Sequence, residues 1–166
     1  MKILLIFPPY SMKERYNSNV GEDIGGHLPP LGLCYIAAVL EDAGHEVRIM
    51  DCPTYKQTQQ DVINEVINWK PNIVGLAAVT ILIDRAIEIT KAIKVASPET
   101  FIVIGGPHPT NMPEETLRDT GCDIVIKGEA ELTFRDIAAD PKQFLEKKII
   151  EGTIVRDLNT FPFPAR

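Results

Sequence analysis

The chain has 166 residues, of which 45% are hydrophobic and 24% are charged, a balance typical of a single globular domain. Its formal net charge of −6 provides no basic footprint for nucleic acid. The first apolar run, residues 3–7, is too short for a signal-peptide core or a membrane span, and two prolines follow it. Composition therefore predicts a soluble, cytoplasmic protein without nucleic-acid or membrane partners.

Short apolar runs alternate with longer helical patterns, as in stacked βαβ units that form a parallel sheet. The predicted strands are residues 2–7, 46–51, 73–79, 101–105 and 123–127. The predicted helices cover residues 30–43, 59–69, 81–96 and 132–139, and one more begins at residue 113. Most strands are continuous apolar runs, as expected when helices cover both faces of the sheet. The pattern predicts a doubly wound, Rossmann-like (flavodoxin-like) α/β domain with five parallel strands in the order 2-1-3-4-5.

The regular pattern weakens after Pro141. The segment KKIIEGTIVRD is compatible with a short additional strand or a hairpin, and LNTFPFPAR resembles a linker. We therefore divide the chain into an α/β domain, residues 1–140, and an extension, residues 141–166.

The three cysteines, Cys34, Cys52 and Cys122, are too far apart to form a C-x-x-C pair or an iron–sulfur motif. A free cysteine usually behaves as a small buried hydrophobe. We therefore expect three free, buried thiols.

Ligands of open parallel sheets bind beyond the carboxyl ends of the strands, which here selects the loops at residues 8–29, 79–80, 106–112 and 128–131. Small residues are frequent beside these loops, at Gly75 and Ala78 on the third strand and at Gly105 and Gly106 after the fourth. They leave either a ligand slot or room for a closely packed helix. Thr80 taken alone is a helix-capping candidate, and with the glycines nearby we favour the ligand slot.

Several catalytic signals are absent from the sequence. No G-x-G-x-x-G follows the first strand, and there is no phosphate loop, nucleophile elbow or metal-ligand spacing. Of the histidines, His45 is expected at the surface, at the amino end of the sheet. His27 and His108 lie on carboxyl-end loops, where each either faces a ligand or holds the backbone of its loop. The domain is not expected to catalyse a reaction alone or to hold a metal through its own side chains.

Several segments, in their order along the chain, resemble the cobalamin-binding domain that precedes the catalytic barrel of cobalamin-dependent radical S-adenosylmethionine enzymes. They are MKILLIFPPY, HLPPLGLCYIAAVLEDAGHEVRIMD, VGLAAVT, VIGGPHPT and DIVIKGEAELTF. The resemblance covers about residues 1–140, and DLNTFPFPAR resembles the connector to the barrel. It implies a bound cobalamin whose dimethylbenzimidazole tail enters the domain between the third and fourth strands.

The resemblance also implies roles for particular residues. The corrin would be bordered by the loop 8–28, which includes Pro9 and His27. The remaining candidates would line or rim the tail channel, with His108 as a hydrogen-bond partner to the tail; they are Gly75, Ala78, Thr80, Gly105, Gly106, His108, Gly128 and Glu129.

Two departures from related patterns matter. Other cobalamin domains carry D-x-H-x-x-G, whose histidine ligates cobalt, whereas the spacing of Asp23 and His27 differs. We therefore expect cobalamin with its own base displaced and no histidine on cobalt. The barrel motif C-x-x-x-C-x-x-C is also absent, so S-adenosylmethionine and a [4Fe–4S] cluster would be bound elsewhere in the parent, whose reaction would be methyl transfer or anaerobic cyclisation.

Two alternatives remain open from the sequence. The segment GGHLPPLGLCYIAAVLEDAGHEV also resembles the opening of the acceptor half of two-domain glycosyltransferases, in which His27 would be the catalytic base. The other alternative is a vestigial member of the cobalamin family that binds no cofactor and only contacts its barrel or a partner.

Overall fold

A computed structural model describes residues 1–10 and 28–165 of the chain, and all structural statements concern those residues. The strands are β1 (Lys2–Phe7), β2 (Glu46–Asp51), β3 (Ile73–Ala77), β4 (Phe101–Gly105), β5 (Ile124–Lys127) and β6 (Ile149–Glu151). The helices are α1 (Leu31–Asp42), α2 (Gln59–Trp69), α3 (Ile83–Ala96), α4 (Pro107–Asn111), α5 (Pro113–Thr120) and α6 (Glu131–Ala139).

The strands form one parallel sheet in the order β2-β1-β3-β4-β5-β6, which confirms the predicted α/β class and the order of the first five strands. The prediction of five strands was wrong, because β6 adds a sixth strand beside β5 with Ile126 opposite Ile150. With only three residues, β6 is too short for strand periodicity to be recognised in the sequence. The extension therefore contributes to the sheet.

Two hydrophobic layers cover the sheet. On one face, here called the α2/α3/α5 face, the strands pack against Val66 of α2, Ile89 of α3 and Leu117 of α5. On the other, the α1/α6 face, they pack against Leu40 of α1 and Ile137 of α6. Because side chains alternate along a strand, each strand contributes to both layers, as expected for a sheet buried on both sides.

The connection from β5 to β6 has the opposite hand to the connection from β3 to β4. Both move in the same direction across the sheet, but α3 lies on the α2/α3/α5 face and α6 lies on the α1/α6 face. Parallel crossovers almost always share one hand, so this exchange of faces is uncommon. It brings α6 beside α1, and the Ala165 amide then donates to the Cys34 carbonyl at 3.0 Å.

The short helix α4 was missed by the sequence analysis. It occupies the PHPTN segment, where the prolines suggested an irregular loop. Proline is well tolerated in the first turn of a helix because the N–H that it lacks would have no helical partner there. The strand β3 also ends two residues earlier than predicted, and the Ala78 carbonyl accepts a hydrogen bond from the His108 amide at 3.2 Å.

The three cysteines are buried and free, as predicted. Burial, with a smaller contribution from nearby Asp51, raises the pKa of the Cys52 thiol to about 12. Burial likewise raises the pKa of Cys122 to about 11. Both thiols therefore stay protonated at neutral pH. Over residues 1–10 and 28–165, no helix has the length and apolar character needed to cross a membrane.

Candidate functional site

A cavity of ≈ 270 Å³ opens at the carboxyl ends of the strands on the α1/α6 face. Its floor is formed by β3 and β4, and its walls by the first turn of α1, the loop after β5 and the Phe134 ring of α6. Small-molecule sites are usually about this size or larger and mostly apolar. The topology therefore places the cavity where the sequence analysis expected a ligand.

The cavity exists because small residues are concentrated on one face of the two central strands. On the α1/α6 face Gly75 and Ala77 of β3 lie beside Val103 and Gly105 of β4, with Ala77 opposite Gly105. The intervening side chains point to the other face and are large; they are Val74, Leu76, Ile102 and Ile104. Alternation along the strands thus removes volume from one face only.

The two strand glycines on this face have different surroundings. A Cβ added to Gly105 would meet only the Ile126 carbonyl oxygen, at 3.9 Å, so this position borders open space. A Cβ added to Gly75 would lie 2.6 Å from Leu5 Cδ2 and 2.7 Å from Phe134 Cε2. Gly75 therefore makes room for a packed leucine and a packed phenylalanine, whereas Gly105 leaves the cavity open.

Gly106 has a third role, in the backbone. Its φ of +117° lies in the region that favours glycine, and an added Cβ would lie 2.7 Å from the Ala78 carbonyl oxygen. The Ala78 amide donates to the Gly105 carbonyl at 2.8 Å. Gly106 thus allows the ends of β3 and β4 to approach closely and fixes the edge of the cavity.

The loop after β5 forms the opposite rim. Gly128 adopts φ +75°, and both Gly128 and Glu129 line the cavity. The Gly128 amide donates to Thr110 Oγ1 at 2.9 Å, and that hydroxyl donates to the Gly106 carbonyl at 2.8 Å. Thr110 therefore links the two rims. Sequence reasoning missed this residue, although it belongs to the quoted VIGGPHPT segment.

Of the other predicted residues, Ala78 belongs to the lining of the cavity, whereas Thr80 and Pro9 do not. Thr80 is exposed and begins a 3-10 turn, Thr80–Leu82, without a side-chain capping bond to the following helix. Pro9 is half-buried beyond β1 and Ala78 lines the cavity at the end of β3. His27, and with it the expectation about the cobalt ligand, lies outside the described residues.

His108 was expected at the rim and is instead buried within α4, with 5% of its surface exposed. The lining of the cavity does not include it. Within the part of the chain that the structure describes, neither ring nitrogen has a hydrogen-bond partner. Its backbone is held at both groups: the His108 amide donates to the Ala78 carbonyl at 3.2 Å, and the His108 carbonyl accepts from the Met112 amide at 2.8 Å.

The lining can bind a flat apolar group and exclude water from it. Among residues 1–10 and 28–165, its charged members are Glu129 and Glu131. Over the described residues no three His, Cys, Asp or Glu side chains are grouped so that they could hold a metal ion. The cavity is also far smaller than a macrocycle requires, so only a narrow part of a large ligand could enter it. The arrangement is suited to binding.

Comparison with sequences of known proteins identifies related domains. The chain is 37% identical over 153 residues to an uncharacterised methyltransferase of Pyrococcus horikoshii, covering 92% of this chain and 32% of that protein. It is 29% identical over 157 residues to the anaerobic magnesium-protoporphyrin IX monomethyl ester cyclase of Rubrivivax gelatinosus, covering 92% of this chain and 27% of that protein. The chain thus spans about a third or less of the length of these relatives.

The fold is similar to a solved structure of OxsB, a cobalamin-dependent S-adenosylmethionine radical enzyme with aqua-cobalamin and S-adenosylmethionine bound. The TM-score is 0.71 at 18% identity, covering 99% of this chain and 22% of that chain. The model of the B12 binding domain family matches residues 18–138. This match confirms the resemblance found in the sequence and sets aside the glycosyltransferase alternative. The chain belongs to the family of B12-binding domains.

Proposed function

We propose that the chain binds cobalamin at the carboxyl ends of its strands, with the nucleotide tail in the cavity and the corrin outside it. The observation that carries this proposal is the open floor at Gly105, where the nearest atom to an added Cβ is 3.9 Å away. A cavity of ≈ 270 Å³ with mainly apolar walls suits a flat aromatic base and is too small for the corrin.

Three groups of residues would hold the tail. Gly105 and Ala77 form the floor, where the absence of larger side chains leaves space for the ring. Leu31 and Leu33, from the first turn of α1, would cover one side with apolar surface, and the loop beginning at Gly128 would close the other. Bound cobalamin supplies a redox-active cobalt that carries exchangeable groups. The chain's own residues bind and orient the cofactor and keep water from its tail.

Under this proposal, several residues have roles that differ from those implied by the resemblance. Gly75 supports the floor through Phe134 rather than contacting the tail, and Gly106 holds the β3 and β4 ends together. Thr80 and Pro9 are assigned to the corrin side, because they lie at the carboxyl ends but not in the lining. His108 reaches the cofactor only indirectly, through the position of α4.

The domain would act as the accessory part of a larger enzyme. The two relatives described above are named as a methyltransferase and as an anaerobic cyclase, and this chain spans only 32% and 27% of their lengths. We therefore assign S-adenosylmethionine and the [4Fe–4S] cluster to a catalytic barrel in the same parent chain. Both reaction classes remain candidates for the parent.

Binding can be tested by adding hydroxocobalamin to the purified chain, desalting it and recording the visible spectrum. Retained corrin absorbance supports the proposal, and a colourless protein supports the vestigial alternative. Gly105→Leu should fill the floor and weaken binding by about 100-fold or more, since the tail and the new side chain need the same space.

Ala96→Leu is the matched control, because it adds the same side chain at an exposed site at the far end of α3. Equal affinities of Gly105→Leu and Ala96→Leu would contradict the proposed tail site. Gly106→Leu is a poorer test, because its positive φ and its 2.7 Å approach to Ala78 would strain the fold whether or not a ligand binds.

A further inference from the structure

The loop after β5 is held from both sides by residues that lie outside the cavity. One support comes from β6 and the residue after it, which follow the segment 18–138 matched by the family model. The other comes from α4. We infer that Gly152 and Thr110 are positioning residues of the cofactor site, which fix the Gly128–Glu129 loop where it forms the rim of the cavity. This inference rests on the proposed binding of cobalamin.

Gly152 packs directly on the backbone of the loop. Its amide donates to the Lys127 carbonyl at 2.7 Å. A Cβ added to Gly152 would lie 1.9 Å from the Glu129 carbonyl oxygen and 2.8 Å from that of Lys127. No side chain fits there unless the loop moves, because backbone atoms cannot turn away as a flexible side chain can. Because Gly152 has no side chain, the backbone of Glu129 can lie directly against it.

Neighbouring contacts keep Gly152 against the loop. The Thr153 amide donates to Thr133 Oγ1 at 3.0 Å, which ties the chain after β6 to the first turns of α6. The Glu151 carboxylate pairs with Lys127, the last residue of β5. Strand pairing of β5 with β6 continues through Lys127 and Glu151 up to the start of the loop.

Thr110 holds the loop from the α4 side. Its hydroxyl oxygen accepts from the Gly128 amide at 2.9 Å and donates its proton to the Gly106 carbonyl at 2.8 Å. The Thr110 side chain thus connects Gly106, directly after β4, with Gly128, directly after β5. Both glycines have positive φ. Because glycine has no Cβ, sterics alone do not hold its backbone in one conformation. The hydroxyl supplies the missing restraint.

The Thr110 side can be tested with three variants of the chain. Thr110→Val keeps the shape and removes both hydrogen bonds, and Thr110→Ser keeps the hydroxyl. Thr116→Val is the control, because Thr116 Oγ1 donates the same type of bond to the carbonyl four residues earlier, that of Met112, at 2.8 Å, and this bond does not involve the loop. Cobalamin affinity is measured by absorbance titration on variants whose folding has been checked. It should fall about tenfold for Thr110→Val and stay unchanged for Thr110→Ser and Thr116→Val.

A second measurement does not depend on the cofactor. Hydrogen exchange of the Gly128 amide in the cobalamin-free chain should be about tenfold faster in Thr110→Val than in Thr110→Ser or in Thr116→Val. Unchanged exchange would overturn the positioning role. If exchange is faster in Thr110→Val but the wild-type chain binds no cobalamin, the loop contact is supported and the proposed function is rejected. Failure of the inference and failure of the proposed function therefore give different results.

The Gly152 side is tested by Gly152→Ala, which should weaken cobalamin binding by about tenfold or more as the Glu129 carbonyl is displaced. Gly32→Ala is not a suitable control, because Gly32 lines the cavity. Gly121 lies at the end of α5 with open space around it, and its φ of +68° means that Gly121→Ala strains the backbone there, so this variant controls for a loss of stability away from the loop. Gly121→Ala should leave affinity within about twofold. Wild-type affinity in a folded Gly152→Ala variant would overturn this part of the inference. If that variant does not fold, the Thr110 series decides.

Discussion

The two faces of the sheet differ most at the carboxyl ends of β3 and β4. On the α2/α3/α5 face, Leu76 and Ile104 are buried at this end and fill the layer. On the α1/α6 face, Ala77 and Gly105 occupy the corresponding positions and a cavity replaces the filled layer. The same two strands thus supply a close-packed core on one side and a binding cavity on the other. A ligand site can arise in this fold by removing side-chain volume from alternate positions, without changing the backbone of the sheet.

The largest effect is expected from opening the filled layer. Ile104 is fully buried on the α2/α3/α5 face. Ile104→Ala should lower the free energy of unfolding by about 2–5 kcal/mol, because it removes buried apolar surface and leaves a hole. Urea denaturation of both proteins measures the difference. A loss below about 1 kcal/mol would mean that this face is packed less completely than the structure indicates.

The next effect compares two glycines on the α1/α6 face. Gly75→Ala should destabilise the fold by about 1–3 kcal/mol, because the new methyl group overlaps Leu5 and Phe134. Gly105→Ala should be neutral or stabilise by up to about 1 kcal/mol, since it meets no close atom and reduces the entropy of the unfolded chain. Thermal and urea unfolding of the pair measure these signs. Equal destabilisation by both would contradict the distinction between a packed glycine and an open one.

The smallest effect concerns pH, and it should originate in the filled layer. Cys52 and Cys122 both lie on the α2/α3/α5 face, with pKa values of about 12 and about 11. An unfolded thiol has a pKa of about 8.5, so above that pH the unfolded chain releases protons that the folded chain retains. The free energy of unfolding should therefore fall by about 1 kcal/mol per thiol between pH 8 and pH 9.5.

The measurement is a series of urea titrations over that pH range. Cys52→Ala should lower stability at pH 8 by creating a small hole, and it should make the dependence on pH shallower. A slope that is the same with and without Cys52 would show that other groups cause the loss.

Most of the fold could be predicted from the sequence because its elements are long or are clearly bounded. The second helix was predicted as residues 59–69 because Pro71 stops it, and it is observed with these bounds, with Thr58 as its N-cap. The short helix α4 was missed, and β6 was left open as a short strand or a hairpin, because five or three residues carry too little periodicity. The position of the candidate site followed from topology alone.

The division of roles within the site could not be predicted. Gly75 and Gly105 look equivalent in the sequence, and only tertiary packing brings Leu5 and Phe134 against one of them. Gly152 gave no signal, because the carbonyl that excludes a side chain there belongs to Glu129, on a separate segment. His108 was expected near the ligand because its loop follows a strand, but the α4 turn buries its ring.

The β5–β6 connection has the opposite hand because α6 packs on the same face as α1, and this position has a consequence for the order of folding during synthesis. The α2/α3/α5 face is built from successive strands and helices, which can pack as they emerge from the ribosome. The α1/α6 face joins residues 31–42 to residues 131–139, a contact between distant parts of the chain. Phe134 is one wall of the cavity, so a newly made chain has no cavity until α6 has been translated and has packed against α1. The proposed cofactor site would therefore form only after α6 has packed.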